Sequence, residues 1–90
     1  MALTRKPFSW IHDPGHSWLL VRSSDLDEVG LKPSDFSHYS YWNGFETYAL
    51  EEDCDAAKFI TRWKEERGAI TMIGHHTDVD AELRGWAPIK

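Results

Sequence analysis

Residues 8–22, FSWIHDPGHSWLLVR, place two apolar segments on either side of a turn. In the turn, DPGH at 13–16, proline supplies the fixed φ of the second position and glycine accepts positive φ at the third. The turn predicts a hairpin in which Ile11 pairs with Trp18. Both faces of this hairpin are apolar, so we expect it in the middle of the fold with both sides covered. The alternative is that one face is exposed as a partner site.

A short helix is predicted after the first hairpin. Ser24 is its expected N-cap, and Asp27 completes a capping box three residues later. Leu26 and Val29 have the spacing of one buried helix face, and Gly30 is the expected end of the helix.

The segment 38–50, HYSYWNGFETYAL, predicts a second hairpin. Its Asn43-Gly44 pair favours a two-residue type I′ turn. That turn would pair Trp42 with Phe45, Tyr41 with Glu46 and Tyr39 with Tyr48, and the first and third are aromatic pairs. Such pairs stabilise a hairpin by about 0.2–1 kcal/mol each.

A longer helix is predicted from Asp53, its expected N-cap, to Arg67, and Gly68 is the expected end. Acidic residues lie near its start and basic residues near its end, as the helix dipole favours. One apolar stripe runs along it at helical spacing, formed by Ala56, Phe59, Ile60 and Trp63.

The remaining residues complete the predicted fold. Residues 69–73 form a short strand by their β-branched content. Residues after 73 either pack back through Trp86, Pro88 and Ile89 or form a mobile tail. The order is β-β-α-β-β-α-β, a small α+β domain over residues 1–90 with a mainly antiparallel sheet of two hairpins plus a short strand and two helices. The candidate flexible ends are 1–7 and 77–90.

Composition limits the classes of partner. The chain has 90 residues, enough for one compact domain, and a formal net charge of -5. A negative charge argues against direct nucleic-acid binding through phosphates. A single cysteine fits a reducing compartment, and no apolar run is long enough to cross a membrane. These features predict a cytoplasmic protein with no membrane partner.

The acidity is concentrated in the middle of the chain. Residues 23–57 contain nine acidic residues and one basic residue. If this segment forms one face, that face is where we expect a partner to bind. The predicted partner-binding residues are Asp35, Tyr41, Glu46, Glu51, Glu52, Asp53 and Asp55.

Cys54 is the one candidate nucleophile. It lies at a predicted helix start, where the dipole stabilises a thiolate, and His16 or His38 could complete a Cys-His pair. The acidic residues on both sides of Cys54 oppose a thiolate. A small buried thiol is therefore the simpler interpretation, and a thiol-dependent hydrolase is the alternative.

Two histidine-containing strings resemble metal sites. In the predicted hairpin His12 and His16 point to opposite faces, so we expect a surface turn in which Asp13 and His16 interact. Residues 75–80, HHTDVD, also lack a recognised ligand spacing, because adjacent histidines on a strand diverge. No metal or other cofactor is predicted.

Three strings in the chain resemble one group of proteins. They are DPGHSWL at 13–19, YSY at 39–41 and LEEDCDA at 50–56. They resemble short uncharacterised proteins of bacteriophages and other bacterial mobile elements, which carry DPGHGWL-like and YLEEDCDA-like segments. The resemblance covers roughly residues 8–65, with Ser17 in place of glycine and Ala49 in place of tyrosine.

This resemblance implies a small accessory protein that binds and blocks a host machine in the bacterial cytoplasm. An inhibitor of a defence system, of the anti-CRISPR kind, is one instance. The leading hypothesis is a non-enzymatic protein that binds a host protein or ribonucleoprotein, with carboxylates standing where phosphates would be. A third hypothesis is a homo-oligomer, for example a homodimer, that pairs through the aromatic first hairpin.

Overall fold

A computed structural model describes residues 7–77 and 82–89, apart from the side chain of Glu82. Its strands are β1 (Phe8–His12), β2 (Ser17–Arg22), β3 (Tyr41–Trp42), β4 (Thr47–Glu51), β5 (Met72–His76) and β6 (Ala87–Pro88). Its helices are α1 (Ser23–Glu28) and α2 (Asp55–Arg67), with 3-10 turns at Pro33–Asp35 and Glu82–Gly85. The six strands form one sheet in the order β5-β1-β2-β4-β3-β6. All pairs are antiparallel except β1 with β5, so the predicted α+β class is confirmed.

The first hairpin lies inside the sheet, as predicted. Ile11 pairs with Trp18 and Trp10 with Leu19. On one side Leu19 is fully buried in the core that α2 covers. On the other side Trp18 packs with Leu83 in a second cluster. Trp18 and Leu19 are therefore buried on opposite faces of the hairpin, whereas Trp10, Ile11 and Leu20 are half-buried.

Helix α2 covers the sheet with two aromatic rings. Phe59 and Trp63 are fully buried and meet Phe8 of β1 edge to face, with ring centroids 5.4 and 5.0 Å apart. Such contacts contribute about 0.5–1.5 kcal/mol each beyond the buried area. Gly68 ends the helix with φ 91°, as predicted.

The predicted N-caps are both wrong. The N-cap position of α2 is Cys54, not Asp53, and the Glu51 carboxylate accepts the N–H groups of Asp53 and Cys54. Helix α1 begins directly after β2 instead of at Ser24. There the Asp25 carboxylate accepts the N–H of Arg22 at 2.9 Å.

The interior and the end of α1 agree with the sequence. Leu26 and Val29 are buried, and Gly30 follows with φ 70°. The earlier start of the helix has a tertiary cause, because Ser23 N–H donates to Glu46 O across the sheet.

The predicted register of the second hairpin is wrong. Trp42 pairs with Tyr48, and their rings stack 6.5 Å apart. The cause is the Asn43 side chain, whose Oδ1 accepts the N–H groups of Phe45 and Thr47. These bonds enclose a three-residue loop, 44–46, in place of the two-residue type I′ turn.

The C-terminal part packs back onto the sheet. Strand β5 starts three residues later than predicted and lies parallel to β1 at the edge. Strand β6 pairs with β3 at the opposite edge. Leu83 and Ile89 are buried, and Ile89 N–H donates to Ser40 O at 3.0 Å. The aspartates of the HHTDVD string lie outside the described residues.

Candidate partner-binding site

Three chain segments meet at one end of the sheet, where β2 begins and β4 ends. Glu52 N–H donates to Ser17 O at 3.1 Å, which joins the turn after β4 to β2. Glu51 N–H donates to Ser40 Oγ at 2.9 Å, which joins β4 to the segment before β3. This end presents exposed side chains that we call the acidic end, namely Tyr39, Glu52 and Asp53.

Asp55 supports the acidic end from inside the protein. It is 2% exposed, and its carboxylate accepts the N–H of Ser37 at 3.0 Å and the hydroxyl of Ser37 at 2.7 Å. It also accepts the hydroxyl of Ser40. The buried carboxylate therefore connects the start of α2 to the segment that carries Tyr39.

Two of the predicted partner-binding residues have internal roles. Asp55 is buried as described, and Glu51 is buried with both carboxylate oxygens accepting backbone N–H groups of the next turn. Their charges contribute to the electrostatic potential at the acidic end, but their buried side chains do not form a surface that a partner could contact.

The other predicted residues, Glu46, Tyr41 and Asp35, differ in position, exposure and bonding. Glu46 precedes β4, whereas Glu52 follows it, so they lie about 20 Å apart at the strand rise of about 3.4 Å per residue. Tyr41 is half-buried, with its ring 6.1 Å from that of Trp18. Asp35 is exposed, but its carboxylate accepts the N–H of Lys32.

Basic side chains of α2 interrupt the acidic segment. Lys58 Nζ donates to Asp35 O and lies 5.9 Å from the centre of the Phe36 ring. Arg62 donates to Val29 O at 2.8 Å. The single acidic face expected from residues 23–57 is therefore divided by Lys58 and Arg62, two basic residues that follow this segment in the sequence.

Tyr39 is a candidate contact residue that local sequence patterns did not reveal. It is 67% exposed, because β3 begins only at Tyr41 and leaves Tyr39 outside the hairpin. Its ring lies 5.1 Å from that of His38, and its N–H donates to Ser37 Oγ. The signal in the sequence was Asn43, whose side chain closes the loop. The loop sets the register of the second hairpin, and this register leaves Tyr39 exposed.

Cys54 lacks the surroundings of a catalytic thiol. It is exposed and follows two exposed acidic residues, Glu52 and Asp53. Within residues 7–77 and 82–89, no hydrogen bond joins its thiol to His16 or His38. The predicted buried position is also wrong, because Cys54 lies in the turn before α2 rather than on its inner face.

The histidines diverge as expected. His12 Nδ1 is 2.7 Å from Ser17 Oγ, and its ring stacks between Trp10 and His76 at 5.9 Å from each. The ring of His16 lies instead beside Trp18. In the part of the chain that the structure describes, no three histidine, cysteine, aspartate or glutamate side chains converge on a metal position.

No protein-family model, curated protein or solved structure matches this chain. Among the described helices, none combines the length and the apolar character that crossing a bilayer requires.

Proposed function

We propose that the chain is an accessory protein of a bacteriophage or mobile element that binds a host protein or ribonucleoprotein and inhibits it without catalysis. The observation that carries the proposal is the acidic end, where Tyr39, Glu52 and Asp53 are all exposed on two segments that the bond from Glu51 N–H to Ser40 Oγ joins. Tyrosine is enriched among the residues that dominate binding energy at protein interfaces. Carboxylates beside it select a basic partner surface.

The rigid support of the acidic end favours binding. Asp55 and Ser40 hold the segment before β3, and Glu51 holds the turn after β4. A surface that is already ordered loses less conformational entropy when a partner binds. Tyr39, Glu52 and Asp53 therefore lie on segments that these hydrogen bonds tie to the rest of the fold.

The charge of the chain indicates the kind of surface that would be bound. A net charge of -5 attracts a basic groove over long range. A groove that normally holds nucleic acid is basic because it neutralises phosphates, and carboxylates can occupy those positions. Together with the resemblance to phage proteins, this favours a nucleic-acid-binding defence complex, such as a CRISPR-Cas effector, as the target.

The proposal is tested by capture from a lysate of the bacterial host. The tagged full chain is compared with the variants Glu52→Lys and Tyr39→Ala, and bound proteins are quantified by mass spectrometry as salt is raised. We expect one basic protein or ribonucleoprotein, lost at high salt, and at least about tenfold less capture by each variant, the loss that removal of a central interface residue gives.

Asp27→Lys is the matched control, because Asp27 is exposed on α1 and this substitution changes the net charge by the same amount as Glu52→Lys. The control should keep capture near the wild-type level. Capture that does not depend on salt, or equal losses for the two lysine variants, would contradict the proposed site.

A further inference from the structure

The two edges of the sheet differ in how they are protected from other chains. Strand β6 has two residues, and one of them is Pro88. Strand β5 has five residues, all exposed, including Ile73 at 50%. Residues 68–77 contain no aspartate, glutamate, lysine, arginine or proline. Short length, proline and charge are the features that keep edge strands from pairing, and β5 has none of them.

The backbone of β5 offers donors and acceptors in a defined pattern. Phe8 N–H donates to Thr71 O at 2.9 Å, and Thr77 N–H donates to His12 O at 2.8 Å. Thr71 therefore directs its C=O group, and Thr77 its N–H group, toward β1. Since the direction alternates along a strand that pairs in parallel, Met72, Gly74 and His76 direct their N–H and C=O groups away from β1, to the side on which no other strand of the described residues lies.

We infer that two copies of this chain pair through β5 in antiparallel orientation, about a two-fold axis at Gly74. In this register Gly74 lies opposite Gly74 of the second copy, and Met72 lies opposite its His76. In each of these pairs both residues direct their N–H and C=O groups toward the other copy, so the pair can form two N–H···O=C bonds. The three pairs supply six hydrogen bonds and join two six-stranded sheets into one.

The side chains also suit a second copy. Ile73, on the face that Ser9 shares, would lie opposite His75 of the second copy. Met72 lies on the other face, where its sulfur is 3.0 Å from Trp10 Nε1. At the axis Gly74 brings no side chain, which allows the two backbones to approach closely.

Charge favours a second copy over a charged peptide as the occupant. Because residues 68–77 carry no formal charge, two copies of β5 can pair without charge repulsion and without leaving a charge unpaired. A charged strand from another protein would find no side chain of opposite charge in this segment. This inference does not rest on the proposed function, because β5 is three strand spacings, about 14 Å, from β4 and the acidic end.

The dimer is expected to be weak, because five residues from each copy form an interface well below about 1,000 Å². Sedimentation equilibrium of the full chain at roughly 10–500 µM, a range suited to weak association, should give a mass that rises from 10.4 kDa toward twice that value. Ile73→Lys should keep the chain monomeric. Ile73→Thr, which keeps a β-branched side chain without charge, should still dimerise.

Phe45→Lys is a second control, since Phe45 is 77% exposed but lies in the loop before β4. It should dimerise like the wild type. A wild-type chain that stays at the monomer mass throughout, or an Ile73→Lys variant that dimerises equally well, would overturn the inference.

Cross-linking tests the register without relying on the lysine variant. In a Cys54→Ser background, Gly74→Cys places two thiols on directly opposite residues about 5.5 Å apart between Cα atoms, which a disulfide can span. Mild oxidation should cross-link this variant at least about tenfold faster than Phe45→Cys in the same background, as proximity predicts. Equal rates would refute pairing at Gly74.

Discussion

The carboxylate of Asp13 and the guanidinium of Arg84 form two hydrogen bonds, of 2.6 and 3.0 Å, between residues 71 positions apart in the chain. The Asp13 side chain is completely buried, and it also accepts the N–H groups of Gly15 and His16. The predicted interaction of Asp13 with His16 thus exists through the His16 backbone. Arg84 lies over the Trp18 ring at 5.0 Å, so the pair fastens the C-terminal segment onto the first hairpin.

Replacing the acidic partner of this pair should cost more stability than replacing the basic one. Asp13→Ala removes the acceptor of two turn N–H groups and both hydrogen bonds from Arg84 to Asp13, and we expect a loss of about 2–4 kcal/mol. Arg84→Gln removes the ion pair and the contact with the Trp18 ring but leaves the two turn N–H groups bonded to Asp13, and it should cost about 1–2 kcal/mol. Urea unfolding followed by tryptophan fluorescence measures both.

Asp27→Asn serves as the control for the change at Asp13, because Asp27 is exposed, and it should change stability by less than about 0.5 kcal/mol. A larger loss for Arg84→Gln than for Asp13→Ala would refute this account of the pair.

The two aspartates at the start of α2 should differ sharply. Asp55→Ala removes the buried acceptor of Ser37 and Ser40 and should destabilise the fold by about 2–4 kcal/mol. Asp53→Ala alters an exposed residue and should cost under about 0.5 kcal/mol. Urea unfolding of the two variants side by side makes the comparison, and similar losses would mean that Asp53 is the true cap.

Gly44 and Gly85 provide a matched test of backbone conformation. A Cβ at either position would meet nothing within 4 Å, but only Gly44 has positive φ, 86°. Gly44→Ala should therefore destabilise the fold by about 1 kcal/mol, whereas Gly85→Ala should be close to neutral. Thermal unfolding by circular dichroism distinguishes them, and a Gly85→Ala variant as unstable as Gly44→Ala would show that φ is not the cause.

Cys54 should behave as an ordinary exposed thiol. Because carboxylates surround it and no described histidine bonds to it, iodoacetamide should label the folded chain no faster than the chain unfolded in urea. Cys54→Ala should also keep the capture activity proposed above. Labelling accelerated by folding, together with loss of function in Cys54→Ala, would instead support the thiol-dependent hydrolase.

Local signals in the sequence predicted the parts of the fold that depend on neighbouring residues. The DPGH turn determined the register of β1 with β2, because Pro14 fixes φ at the second position of the turn. The positive φ predicted for Gly15 is wrong. The apolar stripe and Gly68 identified the buried face and the end of α2. The start of α2 could not be predicted in this way, since its N–H groups are capped by Glu51 at the end of a strand.

The candidate site was predicted only in part, for the same reason. Glu52 and Asp53 are exposed as expected, but Glu51 and Asp55 turn inward because partners such as Ser37 and Ser40 come from elsewhere in the fold. Tyr39 became visible as a candidate only when the Asn43 side chain shifted the second hairpin by three positions. When the register shifts by an odd number of residues, the side chains predicted on one face of a strand lie on the other face.

The sequence by itself determined the class of the fold, the first hairpin, the buried face of the long helix and the overall negative charge, because each follows from composition or from contacts within a few residues. Only the tertiary structure decided which carboxylates face solvent, which edge of the sheet is open and how the C-terminal segment is held. Those features depend on pairs such as Asp13 with Arg84 and Phe8 with Thr71. Such pairs are distant in the chain, and no local pattern encodes them.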